Sequence, residues 1–550
     1  MNKIEESLKS IVKDSVKKVY DIELLDTDIV VEIPKDPSFG DYSTNVAMRL
    51  TKQLRQNPRA VAEKIVEELK KNSYFEDVTI AGPGFINFRL SKKAFTRVIN
   101  DVLLQNNNYG KNSSGKGLRI LVEYVSANPT GDLHLGHARG AVWGDCITRL
   151  LNASGYDCLR EYYVNDGGHQ IDMLSESLYS RYCELFGIEY PLPEDGYHAQ
   201  DIIDIAKQIK EEDDDKWLHV DPKERFLIFK DKGIKLELAK IERDLSNYNC
   251  EFDSWISEKS LYDTGYVQST LELMEKMGLT YEQDGALWLK TTLYGDDKDR
   301  VLRKQDGSYT YFTPDIANHI YKLERGYTKL VNLWGADHHG YVPRMCGALD
   351  ALGNPKNTLE VDIIQMVRLV ENGKEVKMSK RTGNAITIRE LCEEVGVDAA
   401  RYTFVSRAVD THLDFDIGIA KSKTSENPVY YAQYAHARIC SLLKEYPIFT
   451  PVPSYDLIGD EKEKLLIKQM NEFPEIVADA ALTRAPHKIC NFIQKFSQYI
   501  HSYYGSFKIK QLDNQELINQ RLCLLKACKI TLKNALGLIG VSAPESMNRE

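Results

Sequence analysis

Residues 120–145 constrain the fold most strongly, because they combine an apolar strand, a tight turn and the start of a helix in ILVEYVSANPTGDLHLGHARGAVWGD. The apolar run 120–122 predicts the strand, and the Asn-Pro-Thr-Gly sequence at 128–131 is typical of a turn. Small residues at 138–144 suit close helix packing, and we expect the helix to begin near Leu133. The first turn of a helix has unpaired N–H groups and a positive dipole end, so this unit predicts an anion-binding site.

Two histidines lie at the predicted helix N-terminus. His134 and His137 are three residues apart and share one helix face, and Gly136 between them allows a ligand to approach the backbone. This arrangement favours binding of phosphate. From these residues alone, a metal site and plain packing histidines stay open as alternatives.

A second segment supplies positive charge. The strand-like run 361–368 precedes an Asn-Gly hairpin signal at 372–373, and the chain then reads VKMSKRTGN at 376–384. Lys377 and Lys380 indicate a basic loop that clamps a polyphosphate, each ammonium acting as a point charge.

Other strand ends also carry polar residues. Residues 28–33, 157–164 and 327–334 predict strands, and the last is followed by Gly335 and Asp337, where a carboxylate is well placed to hold ribose hydroxyls. The adjacent histidines after Asp337 point in different directions along the chain, which disfavours a zinc site there.

Composition narrows the class of protein. The chain has 550 residues, 43 % of them hydrophobic, which is enough for roughly two to four domains. The net charge is 71 − 81 = −10, so any contact with nucleic acid requires a local basic surface. Ten cysteines without a CxxC pair predict reduced thiols and no structural metal, and no apolar run reaches membrane length. A soluble cytoplasmic protein is expected.

The secondary-structure pattern predicts a multidomain chain with three parts. Residues 1–112 alternate helices and strands and predict a small α+β domain, within which Asn57 before a proline is expected to cap a helix. Residues 113–415 show the pattern of a Rossmann-like, doubly wound parallel α/β sheet, with a charged, largely helical insertion at about 167–290. Residues 416–550 predict an α-helical bundle.

Aromatic and basic residues are interleaved in this last part. Most of the aromatics have helical spacing and are expected in the core, whereas exposed ones suit stacking of RNA bases. They are Tyr430, Tyr431, Tyr434, His436, Arg438, Phe492, Phe496, Tyr499, His501, Tyr503 and Tyr504.

The HLGH and KMSK sequences, in this order and far apart, resemble the two signature motifs of class I aminoacyl-tRNA synthetases. Longer segments narrow the resemblance to the bacterial type of arginyl-tRNA synthetase, over nearly the whole chain. These segments are VEYVSANPTGDLHLGH, EYYVNDGGHQ, YFTPD, WGADHHGY and VKMSKRTGN in the centre, and GDYSTNVAMRL and AGPGFINFRL in the first domain.

The resemblance implies a ligase that joins L-arginine to tRNA(Arg) through an arginyl-adenylate, using ATP with accompanying Mg²⁺ and releasing pyrophosphate and then AMP. It implies a monomer, an N-terminal domain that touches the outer corner of the tRNA, and a C-terminal domain that binds the anticodon. The implied catalytic residues are His134, His137, Lys377 and Lys380. ATP would also be bound by Gly136, Gly335, Asp337, Met378 and Ser379.

Arginine selection calls for carboxylates that pair with a guanidinium and an α-ammonium group. By resemblance, the arginine-binding residues are Glu123, Asn128, Tyr311 and Asp315. Each also has a structural interpretation: a strand-edge charge for Glu123, a turn amide for Asn128, a core hydroxyl for Tyr311 and a helix cap for Asp315.

Two other classes stay open: a nucleotidyltransferase or ligase for a small metabolite, and a non-catalytic RNA-binding relative. The first would not need the aromatic C-terminal bundle, and the intact lysines and histidines of both motifs speak against the second. One departure from the family pattern stands beside the site: Asp132 replaces the usual proline and adds a negative charge near the predicted phosphates.

Overall fold

The structure is a computed structural model that describes residues 3–34, 36–371, 373–376 and 386–547. Most of the predicted basic loop lies outside the described residues, including Lys377, Met378, Ser379 and Lys380.

The N-terminal part is built around an antiparallel sheet with strand order β1-β2-β4-β3. Its elements are α1 Lys3–Tyr20, β1 Val31–Glu32, β2 Tyr42–Thr44, α2 Val46–Leu54, α3 Pro58–Leu69, β3 Phe75–Ala81 and β4 Phe85–Leu90. The predicted cap is confirmed, because the Asn57 side chain accepts a hydrogen bond from the Arg59 N–H at 2.9 Å. The strand predicted at 28–33 was too long: only Val31 and Glu32 pair with β2, and residues 26–28 form a 3₁₀ turn.

The central part alternates helices and strands. Its first elements are α4 Lys92–Gln105, β5 Arg119–Glu123, α5 Leu135–Ala153, β6 Asp157–Val164, α6 His169–Glu184, α7 Gln200–Asp213, α8 Pro222–Asn247, β7 Ser254–Ser257, α9 Glu258–Asp263 and α10 Tyr266–Lys276. The next are β8 Thr280–Gln283, β9 Ala286–Leu289, β10 Arg300–Arg303, α11 Phe312–Glu324, β11 Lys329–Gly335, α12 Val342–Ala351, β12 Leu359–Ile364, β13 Val367–Glu371, β14 Lys374–Glu375, α13 Ile388–Val395, α14 Val397–Val405 and β15 Leu413–Asp416.

The main sheet is parallel throughout, with strand order β12-β11-β5-β6-β7, which confirms the predicted doubly wound α/β fold. β5 is central and almost fully buried, as its apolar sequence predicts. Because neighbouring strands run in the same direction, the carboxyl ends of β5 and β11 meet at one edge of the sheet. Ligands of such sheets bind at this edge.

Two details of the central part differ from the sequence prediction. The segment interpreted as an insertion at about 167–290 is largely helical, but its residues 254–257 form β7 and complete the main sheet beside β6. The single strand predicted at 361–368 is divided into β12, which joins the main sheet, and β13, which pairs with β14 and β15. Both differences depend on pairing between strands that are far apart in the sequence. A pattern within a few neighbouring residues does not indicate such pairing.

The C-terminal part is helical, as predicted. Its helices are α15 Ile417–Lys421, α16 Pro428–Glu445, α17 Glu461–Leu482, α18 His487–Ser506 and α19 Gln515–Leu538. The segment between β4 and β5 is held against this bundle, because the Tyr109 hydroxyl donates to the Met470 carbonyl and the Asn100 amide donates to the Val452 carbonyl at 2.7 Å. No helix among the described residues is both long and apolar enough to cross a membrane.

One buried arginine joins these parts. Arg401 on α14 is fully buried, and its guanidinium forms an ion pair with Asp145 of α5, which is also fully buried. The same guanidinium donates to the backbone carbonyls of Tyr248 at 3.0 Å and Ile539 at 3.1 Å. At Gly540, which has φ +66°, a Cβ atom would overlap the guanidinium. The arginine therefore connects the helix after β5, the loop after α8 and the end of α19.

We expect Arg401→Met to lower the free energy of unfolding by roughly 3 to 5 kcal/mol, because it removes a buried cation and leaves backbone carbonyls without donors. Arg368→Met is the control, since Arg368 and its partner Asp414 are both 56 % exposed and solvent screens the pair, so its loss should change stability little. Thermal unfolding monitored by circular dichroism measures both. Equal melting temperatures for the two variants would contradict the structural role of Arg401.

Candidate functional site

The turn after β5 ends in a helix capped by a histidine. The His134 Nδ1 atom accepts a hydrogen bond from the Gly136 N–H at 3.1 Å, so α5 begins at Leu135, two residues later than predicted. The His137 Nδ1 atom in turn accepts from the His134 N–H at 3.3 Å. These reciprocal bonds resemble a capping box in which imidazoles replace the usual hydroxyl and carboxylate.

Both imidazoles are arranged as neutral hydrogen-bond donors. Because each Nδ1 accepts from a backbone N–H, the proton of the neutral ring lies on Nε2. Burial lowers the pKa of His134, and burial together with the neighbouring His134 lowers the pKa of His137 to about 4. The two ring centroids lie 4.1 Å apart at the positive end of a 19-residue helix. Such a site binds an anion by donated hydrogen bonds and the helix dipole.

Gly136 is required for the position of His134. A Cβ atom at residue 136 would lie 2.9 Å from Cε1 and 3.1 Å from Nδ1 of the His134 ring. Any side chain here would therefore push the ring away from its capping position.

The exit of the basic segment is attached to this turn. The Leu135 N–H donates to the Ile386 carbonyl at 3.0 Å, and the Ile388 N–H donates to the Leu133 carbonyl at 2.9 Å. Ile386 is the first described residue after the segment that contains Lys377 and Lys380. The chain at 386–388 is therefore bonded to the turn that carries the first motif, whereas the lysines of the second motif lie outside the described residues.

Gly335 ends β11 and Asp337 follows it, at the same sheet edge. Asp337 is exposed and forms an ion pair with His338 at 3.4 Å when the histidine is protonated. With Tyr341 and Arg300 it lines a cavity of about 680 Å³. A Cβ atom at residue 335 would come within 2.5 Å of an Asp337 carboxylate oxygen. The absence of a side chain at Gly335 therefore allows the carboxylate to fold back over the strand end.

Glu123 lies at the end of β5 and is held by a buried lysine. Lys322 of α11 is fully buried, forms an ion pair with Glu123 and lies 3.8 Å from Glu161. The Ser126 hydroxyl donates to the other Glu123 oxygen at 3.1 Å. Burial raises the pKa of Glu123, but Lys322 outweighs burial and the net pKa is lowered. Glu123 is therefore an ionised carboxylate that already has a cationic partner.

Two further carboxylates lie nearby without such a partner. Asp315 accepts a hydrogen bond from the Tyr341 hydroxyl at 2.6 Å, and Glu258 accepts one from the Tyr163 hydroxyl at 3.0 Å. Burial raises the pKa of Asp315 to about 7, and the charges of Glu123 and Glu258 contribute to the rise. Burial likewise raises the pKa of Glu258. Within the described part of the chain, no lysine or arginine forms an ion pair with Asp315 or Glu258, so a cationic ligand that binds here would favour their ionised forms.

The other two predicted arginine-binding residues are placed differently. The Asn128 amide donates to the Gln170 side chain at 2.6 Å, and Tyr311 is 76 % exposed beside the pocket. Sequence reasoning missed Glu258, Tyr163 and Tyr341. Glu258 could have been found only by recognising residues 254–257 as a strand of the main sheet, because an acidic residue at such a strand end is a common ligand-binding signal.

The C-terminal helices contain a separate cavity of about 460 Å³. Tyr430, Tyr431, Tyr434, Arg438 and His501 line it. The Arg438 guanidinium lies 5.4 Å from the Tyr434 ring centroid, which leaves a flat aromatic and cationic surface.

Other aromatic residues of the C-terminal set are core residues, as their spacing predicted. The fully or almost fully buried ones are Phe492, Phe496 and Tyr503.

Three family models match successive parts of the chain. The arginyl tRNA synthetase N-terminal domain matches residues 6–90, the class I (R) tRNA synthetase catalytic domain matches 98–412, and the DALR anticodon binding domain matches 432–547. The fold and the site at the β5–α5 turn thus define a class I aminoacyl-tRNA synthetase.

Curated relatives make the assignment specific. The chain is 50 % identical to the arginine–tRNA ligase of Bacillus subtilis (strain 168), over 99 % of this chain and 100 % of the relative. It is 49 % identical to arginine–tRNA ligase 1 of Halalkalibacterium halodurans over the full length of both. The fold is also that of the Thermus thermophilus arginyl-tRNA synthetase, with 21 % identity, a TM-score of 0.72 and coverage of 99 % and 100 %. The chain belongs to the arginyl-tRNA synthetase family.

We expect Gly136→Ala to weaken ATP binding by about tenfold or more, because the new methyl group displaces the His134 ring from the anion site. Gly140→Ala is the matched control on the same helix, since a Cβ atom at residue 140 meets nothing within 4 Å. Isothermal titration calorimetry with ATP compares the two. Equal losses in both variants would show that the effect comes from the helix and not from His134.

Proposed function

We propose that this protein attaches L-arginine to tRNA(Arg) in two steps. The carboxylate of arginine attacks the α-phosphorus of ATP, which forms arginyl-adenylate and releases pyrophosphate. A terminal ribose hydroxyl of the tRNA then attacks the arginyl carbonyl carbon, and AMP leaves. The observation that carries the proposal is a pair of carboxyl groups, Asp315 and Glu258, that have no cationic partner in the described residues, in a parallel sheet whose β5–α5 turn has a helix N-terminus capped by two neutral histidines.

In the first step the protein mainly positions the reactants and neutralises charge. The Nε2–H groups of His134 and His137 and the N-terminus of α5 would donate to the phosphates of ATP. Asp337, with Gly335 beside it, is suited to the ribose hydroxyls. Lys377 and Lys380, with Met378 and Ser379 between them, are proposed to hold the departing pyrophosphate. The attachment of Ile386 to Leu135 supports this role, because it brings the end of that segment to the anion site.

Arginine recognition follows from the acidic pocket. A guanidinium forms paired hydrogen bonds with a carboxylate, and Asp315 and Glu258 are the carboxylates that have no cation in the described residues. Glu123 is paired with Lys322, so we assign it a role in orienting the pocket and in attracting the α-ammonium group. Tyr311 and Asn128 lie at the pocket entrance in this proposal.

The tRNA would contact the domains on either side of the sheet. Splayed anticodon bases are proposed to stack in the cavity of Tyr430, Tyr431, Tyr434 and Arg438. Stacking on aromatic rings does not require a positive net charge, so the net charge of −10 does not oppose this contact. The N-terminal part is proposed to meet the outer corner of the tRNA. Domain limits at 112 and 415 are proposed with these roles.

Several finer properties are also part of the proposal. ATP is expected to arrive with Mg²⁺ held by its own phosphates, since no group of three or more His, Cys, Asp or Glu among the described residues is arranged to hold a metal ion. The protein is proposed to act as a monomer in the cytoplasm. All ten cysteines are free thiols, which agrees with a reducing compartment.

The proposed function is tested by measuring which amino acid stimulates ATP–pyrophosphate exchange in the presence of total tRNA. Arginine alone should give exchange, followed by arginylation of a single class of tRNA. The tRNA must be present, because activation in this family commonly requires it. Exchange stimulated by a different amino acid would overturn the proposal.

We expect Asp315→Asn to raise the dissociation constant of arginine by at least about tenfold while changing that of ATP by less than about twofold. The wild-type affinity for arginine should increase about tenfold between pH 6 and 8, because the carboxyl group with a pKa of about 7 is neutral below this value and ionised above it. The variant should lose this dependence. Calorimetry at pH 6, 7 and 8 measures both effects, and an equal weakening of ATP and arginine would contradict the assignment.

His137→Ala and Lys380→Ala should each reduce ATP–pyrophosphate exchange by about 10²-fold or more, because each removes a donor to the phosphates in the transition state. The melting temperature should stay close to that of the wild type. The exposed Lys207, which pairs with Asp204 on its own helix, provides the control variant Lys207→Ala. Near-normal exchange in either test variant would refute its proposed role.

A further inference from the structure

Asp132 places a carboxylate close to the proposed phosphate site. It lies two residues before His134, a separation of at most about 7 Å along the backbone. Its Oδ1 atom is buried. Charges separated by less than the Debye length of about 8 Å at physiological ionic strength are not fully screened by salt, so a carboxylate in this turn can repel a triphosphate bound at the start of α5. A neighbouring cation must therefore offset it if ATP is to bind well.

Lys240 of α8 is that cation. Its side chain is 11 % exposed, and its Nζ atom lies 3.2 Å from Asp132, 2.8 Å from Asp201 and 2.7 Å from Glu237. Burial lowers the pKa of Lys240, but the three carboxylates outweigh burial and raise it, so the ammonium is charged at neutral pH. Glu237 is fully buried, and the Lys240 ammonium pairs with its carboxylate. The ammonium is thus shared among three acids on three elements.

The turn and the start of α7 are also in direct contact. A Cβ atom at Gly131 would lie 3.7 Å from an Asp201 carboxylate oxygen. A second cation, Arg389 of α13, is 3.8 Å from Asp132 but only 2.7 Å from Asp244, with which it forms hydrogen bonds. Lys240 is therefore the nearer cation to Asp132, and Arg389 is mainly engaged elsewhere.

We propose that Lys240 is a positioning residue for nucleotide binding: by neutralising Asp132 it keeps an uncompensated negative charge away from the triphosphate at the N-terminus of α5. The proposal rests on the proposed function in one respect, namely that ATP binds at this helix end. Lys240 acts through Asp132 and does not touch the reacting atoms. The helices between β6 and β7 thus contribute directly to the affinity of the core for ATP.

Lys240→Met removes the charge and keeps most of the apolar stem. We expect it to weaken ATP binding, measured by calorimetry without arginine, by about tenfold, since two like charges at this separation repel appreciably. Lys230→Met is the matched control, because Lys230 lies on the same helix and pairs with Asp172 at 2.8 Å. The control should bind ATP within about twofold of the wild type.

Two double variants separate an effect on ATP from an effect on folding. Asp132→Asn combined with Lys240→Met should restore ATP binding to within about threefold of the wild type, because the charge that needs neutralising is gone. Glu237→Gln combined with Lys240→Met should recover melting temperature, since it removes a buried carboxylate, but should not restore ATP binding. If Lys240→Met alone does not fold, these two double variants still decide the question. The proposal is overturned if Glu237→Gln restores ATP binding as well as Asp132→Asn does. It is also overturned if Asp132→Asn restores no ATP binding.

The outcome is independent of the amino-acid substrate. The calorimetric probe is ATP itself, and the wild type is assayed in parallel for arginine-dependent exchange with tRNA. Absence of that exchange in the wild type would count against the proposed function. If the wild type shows arginine-dependent exchange and Lys240→Met binds ATP normally, the proposed role of Lys240 is wrong and the proposed function is unaffected.

Discussion

The buried ion pair between Arg401 and Asp145 is the interaction on which the rest of the structure depends. Two fully buried charges are costly to remove from water, so they persist only where geometry and further hydrogen bonds compensate them. Here the compensation comes from three sequence regions, because the guanidinium also binds the carbonyls of Tyr248 and Ile539. Helix α5, the loop before β7 and the end of the C-terminal bundle are therefore all held by the same side chain.

A second buried arginine, Arg139 on α5 itself, fixes the end of that helix that carries the two histidines. Arg139, two residues after His137, is fully buried and donates to the carbonyls of Gln365, Ala408 and Thr411 at 2.8 to 3.0 Å. These carbonyls belong to the chain between β12 and β13 and to the loop after α14. With Arg139 near its beginning and Asp145 one further turn and a half along, α5 cannot rotate without breaking both sets of bonds. The orientation of the two histidines thus follows from buried contacts behind them.

The sequence predicted features that depend on near neighbours, and it missed those that depend on distant pairing. Patterns of neighbouring residues predicted the Asn57 cap, the strand 157–164 and the turn into α5, and the structure contains all three. Glu258 escaped notice because the strand before it is only four residues long and is defined by pairing with β6. The partners of Asp132 could not be predicted either, since Lys240 is more than 100 positions away and becomes its neighbour only when α8 packs against the turn.

At the sheet edge, the groups suited to an anion carry no positive charge of their own, and the groups suited to a cation are carboxylates. Neutral imidazoles and a helix dipole attract phosphate without a permanent cation, so nothing in the described part of the turn competes for the carboxylates of Asp315 and Glu258. The buried Lys322 is occupied by Glu123 and Glu161, and Lys240 is occupied by acids on the other side of the turn. In the proposed function the lysines come from a separate segment after β14, and Asp315 and Glu258, which have no cationic partner in the described residues, are left to pair with the cationic amino acid.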